Sequence, residues 1–128
     1  MNKLLSGRTI LIVEDEIMVL LNMEAVIADL GCTSIITAAS VDQALSLIDT
    51  HAFDIAVLDL NLDGEPSYPI ADALAVLGVP FIFSTGYSTA ALGGSYGNRP
   101  VLRKPYRDEE LKEVLDCLLA SPATPIVQ

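Results

Sequence analysis

The chain predicts a doubly wound α/β domain, with one parallel sheet covered by helices on both faces. Three observations carry that prediction. Short apolar runs alternate along the chain with segments of helical periodicity. Two of those runs are apolar almost throughout, as parallel strands buried on both faces are. The 128 residues fit one domain with a sizeable core, so residues 1–128 are read as a single domain with its core over about 8–119.

The strands are TILIV (9–13), DIAVLDL (54–60), PFIFST (80–85) and PVLRK (100–104), with a weaker fifth, TSIIT (33–37). Between them, residues 16–30 place Val19, Leu20, Met23, Val26, Ile27 and Leu30 on one helical stripe, and Gly31 suits the position just past the end. Ser40 with Gln43 forms a capping-box pattern ahead of a helix over 41–50. Pro69 suits the first turn of a helix running to Leu77, closed by Gly78. Asp108 is placed to cap the last helix, with Leu111, Val114, Leu115 and Leu118 as its buried stripe. A fourth crossover helix belongs at 86–99, GYSTAALGGSYGNR, but its four glycines predict a short or poorly ordered one. Residues 120–128 read as a flexible tail. Five strands joined this way suggest the flavodoxin-like order 2-1-3-4-5.

Composition narrows the function. Seventeen acids against seven Lys and Arg give a net charge of −10, which excludes a broad basic face for nucleic acid. No run reaches membrane-spanning length, and the N-terminus lacks a signal-peptide pattern, so a cytoplasmic protein is expected. Cys32 and Cys117 have no metal-ligand spacing; both read as small reduced core residues, with a disulfide as the alternative.

Open parallel sheets bind ligands beyond the carboxyl ends of their strands. There this chain puts Glu14-Asp15, Asp59 followed by Asn61, Ser84-Thr85, and Lys104-Pro105. Carboxylates of Glu14, Asp15 and Asp59 sharing one crevice, at roughly 5 Å and an effective dielectric near 20, repel by about 3 kcal/mol per pair. A divalent cation relieves this, and hard oxygen ligands suit Mg²⁺ or Mn²⁺. A divalent ion beside a carboxylate, a lysine and a hydroxyl is a phosphoryl-transfer arrangement. No GxxxxGK[ST] loop is present to hold a nucleotide. The rim offers no other strong nucleophile, which leaves a carboxylate as acceptor, and Asp59 is central.

In these residues (Glu14-Asp15 after ILIV, Asp59 in VLDLNLDG, Thr85 in FSTG, Lys104-Pro105 in LRKPY) the chain resembles the receiver domain of two-component response regulators. The resemblance implies that Asp59 is the phosphoacceptor. It implies Asp15 as a direct Mg²⁺ ligand, Glu14 as a ligand through water, and the Asn61 backbone carbonyl as completing the metal site. Thr85 is the implied hydroxyl partner of the phosphoryl group, Lys104 its cation, and Pro105 a site of a cis Lys-Pro bond. PFIFSTGY resembles the FATGUY subgroup, often single-domain and associated with histidine kinases of the HWE or HisKA2 type. Departures are the Glu at 14, the absence of the usual post-acceptor proline turn, where NLDGEPSYP stands instead, and Val101 where an aromatic switch residue is common. Tyr87 is the candidate replacement for that aromatic.

The resemblance implies a regulatory protein that catalyses only its own phosphorylation and dephosphorylation, with an output partner the sequence does not name, or a phosphate sink. Two rivals stand beside it. One is a phosphorylation-independent interaction module. The other is an Asp-nucleophile phosphohydrolase of the haloacid-dehalogenase type, which needs an acid where this chain has Asn61. Asp63 is expected to make a turn before Gly64 rather than bind metal, Glu16 to cap the first helix or complement its dipole rather than bind metal directly, and His51 to be a helix C-terminal dipole partner or surface residue rather than a phosphorelay histidine. Arg103 and Arg107 read as solvated. Tyr68, Tyr96 and Tyr106 fit either core or interface. The chain reads as a stand-alone receiver or one cut from a longer protein.

Overall fold

The computed structural model describes residues 4–86 and 101–120. Among them the elements run β1 (Thr9–Val13), α1 (Ile17–Asp29), β2 (Ser34–Ala38), α2 (Val41–Thr50), β3 (Ile55–Asp59), β4 (Asn61–Leu62), β5 (Glu65–Pro66), α3 (Tyr68–Leu77), β6 (Phe81–Thr85), β7 (Val101–Arg103) and α4 (Asp108–Ala120). The main sheet is five-stranded and parallel, in the order β2-β1-β3-β6-β7. Counting only its own strands, that is the expected 2-1-3-4-5. The expected fourth crossover helix (86–99) and tail (120–128) lie outside the described residues except for Gly86 and Ala120, and Ala120 belongs to α4.

Alternation along the strands divides the core. Leu11, Val13, Ala56, Leu58, Phe81 and Phe83 pack on one face with Val41, Ala44, Ile48, Ile70 and Leu74 from α2 and α3. Ile10, Ile12, Ile55, Val57 and Ile82 pack on the other with Leu20, Met23, Ile27, Leu111 and Leu115 from α1 and α4. Every residue of β3 is buried, so this strand is fixed between two apolar layers and its end is held rigidly.

Local signals decide the helix ends. Ser40 Oγ accepts from the Gln43 N–H at 3.1 Å, while Gln43 Oε1 reaches back to the Ala39 N–H at 2.9 Å. Gly78 closes α3 in the left-handed region at φ 72°. Asp108 is the first residue of α4 rather than its cap; its carboxylate accepts from Asn22 at 3.2 Å, and Glu110 reaches back to the Arg107 N–H at 2.8 Å. Cys32 is buried and free; Cys117 is free but exposed, because it lies off the buried stripe of α4, so it is not the core residue expected. No helix among the described residues is long and apolar enough to cross a membrane.

One element was not expected. Residues 61–66 form an antiparallel hairpin, β4 against β5, with Asn61 opposite Pro66 and Leu62 opposite Glu65. Its two-residue loop is Asp63 at φ 53° and Gly64 at φ 88°. Positive φ at both central residues is the backbone of a hairpin whose twist matches its strands, and Asp-Gly is a favoured pair for it. Asn61 Oδ1 also accepts from the Gly64 N–H at 2.7 Å. This hairpin occupies the place of the absent proline turn.

Candidate functional site: an acidic crevice around one lysine

Three strands of the parallel sheet deliver the site. The chain leaving β1 supplies Glu14, whose N–H donates to the Ala38 carbonyl at 3.0 Å. β3 ends on Asp59, paired in register with Ser84 of β6. The Lys104 N–H, just past β7, donates to the Thr85 carbonyl at 2.8 Å. The Lys104–Pro105 peptide bond is cis. The resulting cavity, ≈ 360 Å³, is lined by Asp15, Glu16, Asp59, Asn61, Asp63, Gly86 and Lys104.

Glu14, Asp15 and Asp59 each offer a carboxylate oxygen, and these lie within 4.8 Å of one another. Lys104 Nζ sits among them, 3.0 Å from Glu14 Oε1 and 3.2 Å from Asp59 Oδ2. Asp59 Oδ1 accepts from the Asn61 N–H at 3.2 Å. Burial pushes the Glu14 carboxyl up to about 7; the adjacent Asp59 carboxylate adds to this, and Lys104 opposes it. Burial alone would lower the Lys104 ammonium, but the Glu14 and Asp59 carboxylates outweigh it and hold the group above its ordinary value. One lysine does not neutralise three converging carboxylates, so the donor set fits a hard divalent cation.

Of the residues singled out by sequence, the structure brings Asp15, Asp59, Asn61 and Lys104 to one cavity, with Glu14 buried against Lys104. Thr85 is buried at the end of β6. Tyr87 lies outside the described residues. Three lining residues, Gly86, Asp63 and Glu16, were not assigned to the site beforehand. Asp63 lines the cavity from the hairpin turn. Glu16 precedes α1 but makes no side-chain cap, so the capping expected of it is not made; its Oε1 instead pairs with Lys104 Nζ at 3.2 Å. Its closeness to Glu14-Asp15 was the available signal. Tyr106 is half-buried against the α1–α4 side, and burial, with the Glu14 charge, pushes its phenol up to about 12.

The family model for the response regulator receiver domain matches residues 10–116. The chain belongs to that family. As a receiver, it is part of the two-component signalling proteins, a regulatory class. It is similar to SdrG from Sphingomonas melonis Fr1, at 38% identity and TM-score 0.78, covering 91% of this chain and 98% of that one. It is similar to the PhyR receiver domain of Erythrobacter litoralis, at 25% identity and TM-score 0.83, covering 96% and 98%. It is also similar to the receiver domain of the sensor histidine kinase PA1611 from Pseudomonas aeruginosa PAO1, at 25% identity and TM-score 0.73, covering 91% and 100%. That last structure has a magnesium ion coordinated in its active-site cleft. Comparison with curated proteins finds no match.

Proposed function

We propose that this receiver accepts a phosphoryl group on Asp59 from a phosphohistidine of a partner histidine kinase, in a Mg²⁺-dependent reaction. The observation that carries the reading is the meeting of three carboxylates with Lys104 Nζ 3.2 Å from Asp59 Oδ2. In the transfer an Asp59 carboxylate oxygen attacks phosphorus in line. The P–N bond breaks, and its electron pair stays on the imidazole nitrogen. Lys104 would face the charge on the phosphoryl oxygens. Asp15, Asp59 and the Asn61 backbone carbonyl would hold Mg²⁺, or Mn²⁺, with Glu14 acting through water. Bound there, the ion offsets charge on the attacking and transferred oxygens.

Thr85 would then bond the phosphoryl group and shift a two-state equilibrium in the chain that follows, with Tyr87 as the second switch residue. The outcome is binding of a protein partner or removal of phosphoryl groups from the kinase, which we take to be of the HWE or HisKA2 type. Both fit a cytoplasmic setting.

The test is labelling by acetyl phosphate with Mg²⁺, read by intact mass on wild type and Asp59→Asn. Wild type takes one phosphoryl group and the variant none. Equal labelling of both overturns the assignment of Asp59. No labelling of wild type favours the phosphorylation-independent module.

A further inference from the structure

Lys104 Nζ is surrounded by three carboxylate oxygens, from Glu14 at 3.0 Å, Glu16 at 3.2 Å and Asp59 at 3.2 Å. Lys104 donates to Glu16 Oε1 and Asp59 Oδ2, and Glu14 Oε1 stands against it as an ion pair. A phosphoryl oxygen arriving at Asp59 therefore competes with these carboxylates for the one ammonium.

The three carboxylates are not equivalent. The side chains of Glu14 and Asp59 are 0% and 8% exposed, whereas that of Glu16 is 64% exposed. Releasing a buried partner leaves its charge unpaired away from water. Releasing Glu16 returns a carboxylate to solvent at little cost. Glu16 is held at this spot by its backbone: its N–H donates to Glu14 Oε2 at 3.1 Å, and its carbonyl accepts from the Leu20 N–H at 2.9 Å. Its side chain makes no capping bond to α1. Formal charge adds a second argument. A divalent cation and Lys104 together balance Glu14, Asp15 and Asp59, so Glu16, with Asp63 in the hairpin turn, leaves the loaded crevice two charges negative.

We propose that Glu16 is a positioning residue that holds Lys104 in the resting site and must yield it to the incoming phosphoryl group, slowing phosphorylation by small anionic donors. This rests on Asp59 being the phosphoacceptor. With acetyl phosphate the Asp59 oxygen–phosphorus bond forms as the bond from phosphorus to the acetate oxygen breaks, and acetate leaves with the electron pair. Glu16 takes no part in bond making; it acts through Lys104 and through its charge.

The experiment compares initial labelling rates of wild type, Glu16→Gln, Glu16→Asp and Asp59→Asn with acetyl phosphate at saturating Mg²⁺, over a series of KCl concentrations. Glu16→Gln keeps the shape and removes the charge. Its rate rises about three- to tenfold at low ionic strength, and the gain shrinks as salt screens the mouth. Glu16→Asp stays near the wild-type rate. A Glu16→Gln rate equal to wild type at every salt concentration overturns the proposal while leaving Asp59 in its role. So does an equal, salt-independent change in both Glu16 variants, which marks a structural effect. Absence of label on wild type, like labelling of Asp59→Asn equal to wild type, removes the phosphoacceptor reading and this inference with it.

Discussion

The N-termini of α1 and α2 solve the same problem in opposite ways. Both begin after an extended residue with unpaired backbone N–H groups ahead. At α2, Ser40 turns its hydroxyl onto the Gln43 N–H, and the helix start is satisfied locally. At α1 the equivalent residue is Glu16, an acid that would complement the helix dipole, yet its carboxylate leaves the helix for Lys104. The start of α2 lies outside the residues that line the crevice. α1 starts at the rim of the acidic crevice, and the residue just before it serves that crevice instead. A capping side chain contributes about 1 kcal/mol, which is the scale of what α1 forgoes.

The widest break in that comparison comes from Lys104. Lys104→Met leaves Glu14 and Asp59 buried without their cation, and unfolding by urea should show a loss of about 2–4 kcal/mol in metal-free buffer. Millimolar Mg²⁺ should recover part of that loss. The same variant should leave the α2 end untouched, as read by amide exchange at Gln43.

A smaller effect follows from pH. With Glu14 raised from 4.5 to about 7 in the folded protein, the folded state keeps a proton there that the unfolded chain has already released. This contribution is therefore present below pH 4.5 and is lost as pH rises to about 7. Metal-free protein should lose about 1–3 kcal/mol from this group over that window. Glu14→Gln should flatten the slope. A slope unchanged in that variant assigns the pH dependence to other groups.

The smallest effects sit at the caps themselves. Ser40→Ala should cost about 1 kcal/mol and leave Asp59 labelling at the wild-type rate. Glu16→Ser should do the reverse: a gain of roughly 0.5 kcal/mol from a restored cap, measured by thermal unfolding, together with altered labelling. If the two substitutions move stability and labelling alike, the division between the two helix ends fails.

Much of this was legible in the sequence because it depends on local pattern. The near-continuous apolar runs at 9–13 and 54–60 identified the buried parallel strands, and the alternation with helices set the strand order. Strand ends delivered Glu14, Asp15, Asp59 and Lys104 to one rim for the same reason. The hairpin at 61–66 was not legible as strands, since two residues per strand are too few to show a period of two; only Asp63-Gly64 hinted at it. The partner of Glu16 was hidden because it is 88 residues away in the chain, and local rules put an acid at a helix start to other use. Cys117 was misread although the spacing of Leu111, Val114, Leu115 and Leu118 already left it off the buried stripe.

Pro66 has a consequence for Asn61 that follows from what proline lacks. It stands opposite Asn61 across the hairpin and has no backbone N–H to offer. The short ladder is thus unable to claim the Asn61 carbonyl through that residue, while the Asn61 side chain is already engaged by the turn. The hairpin closes without a bond from Pro66 to the main-chain oxygen proposed to complete the metal site. A missing donor, in this position, acts as insulation between a structural element and a binding site.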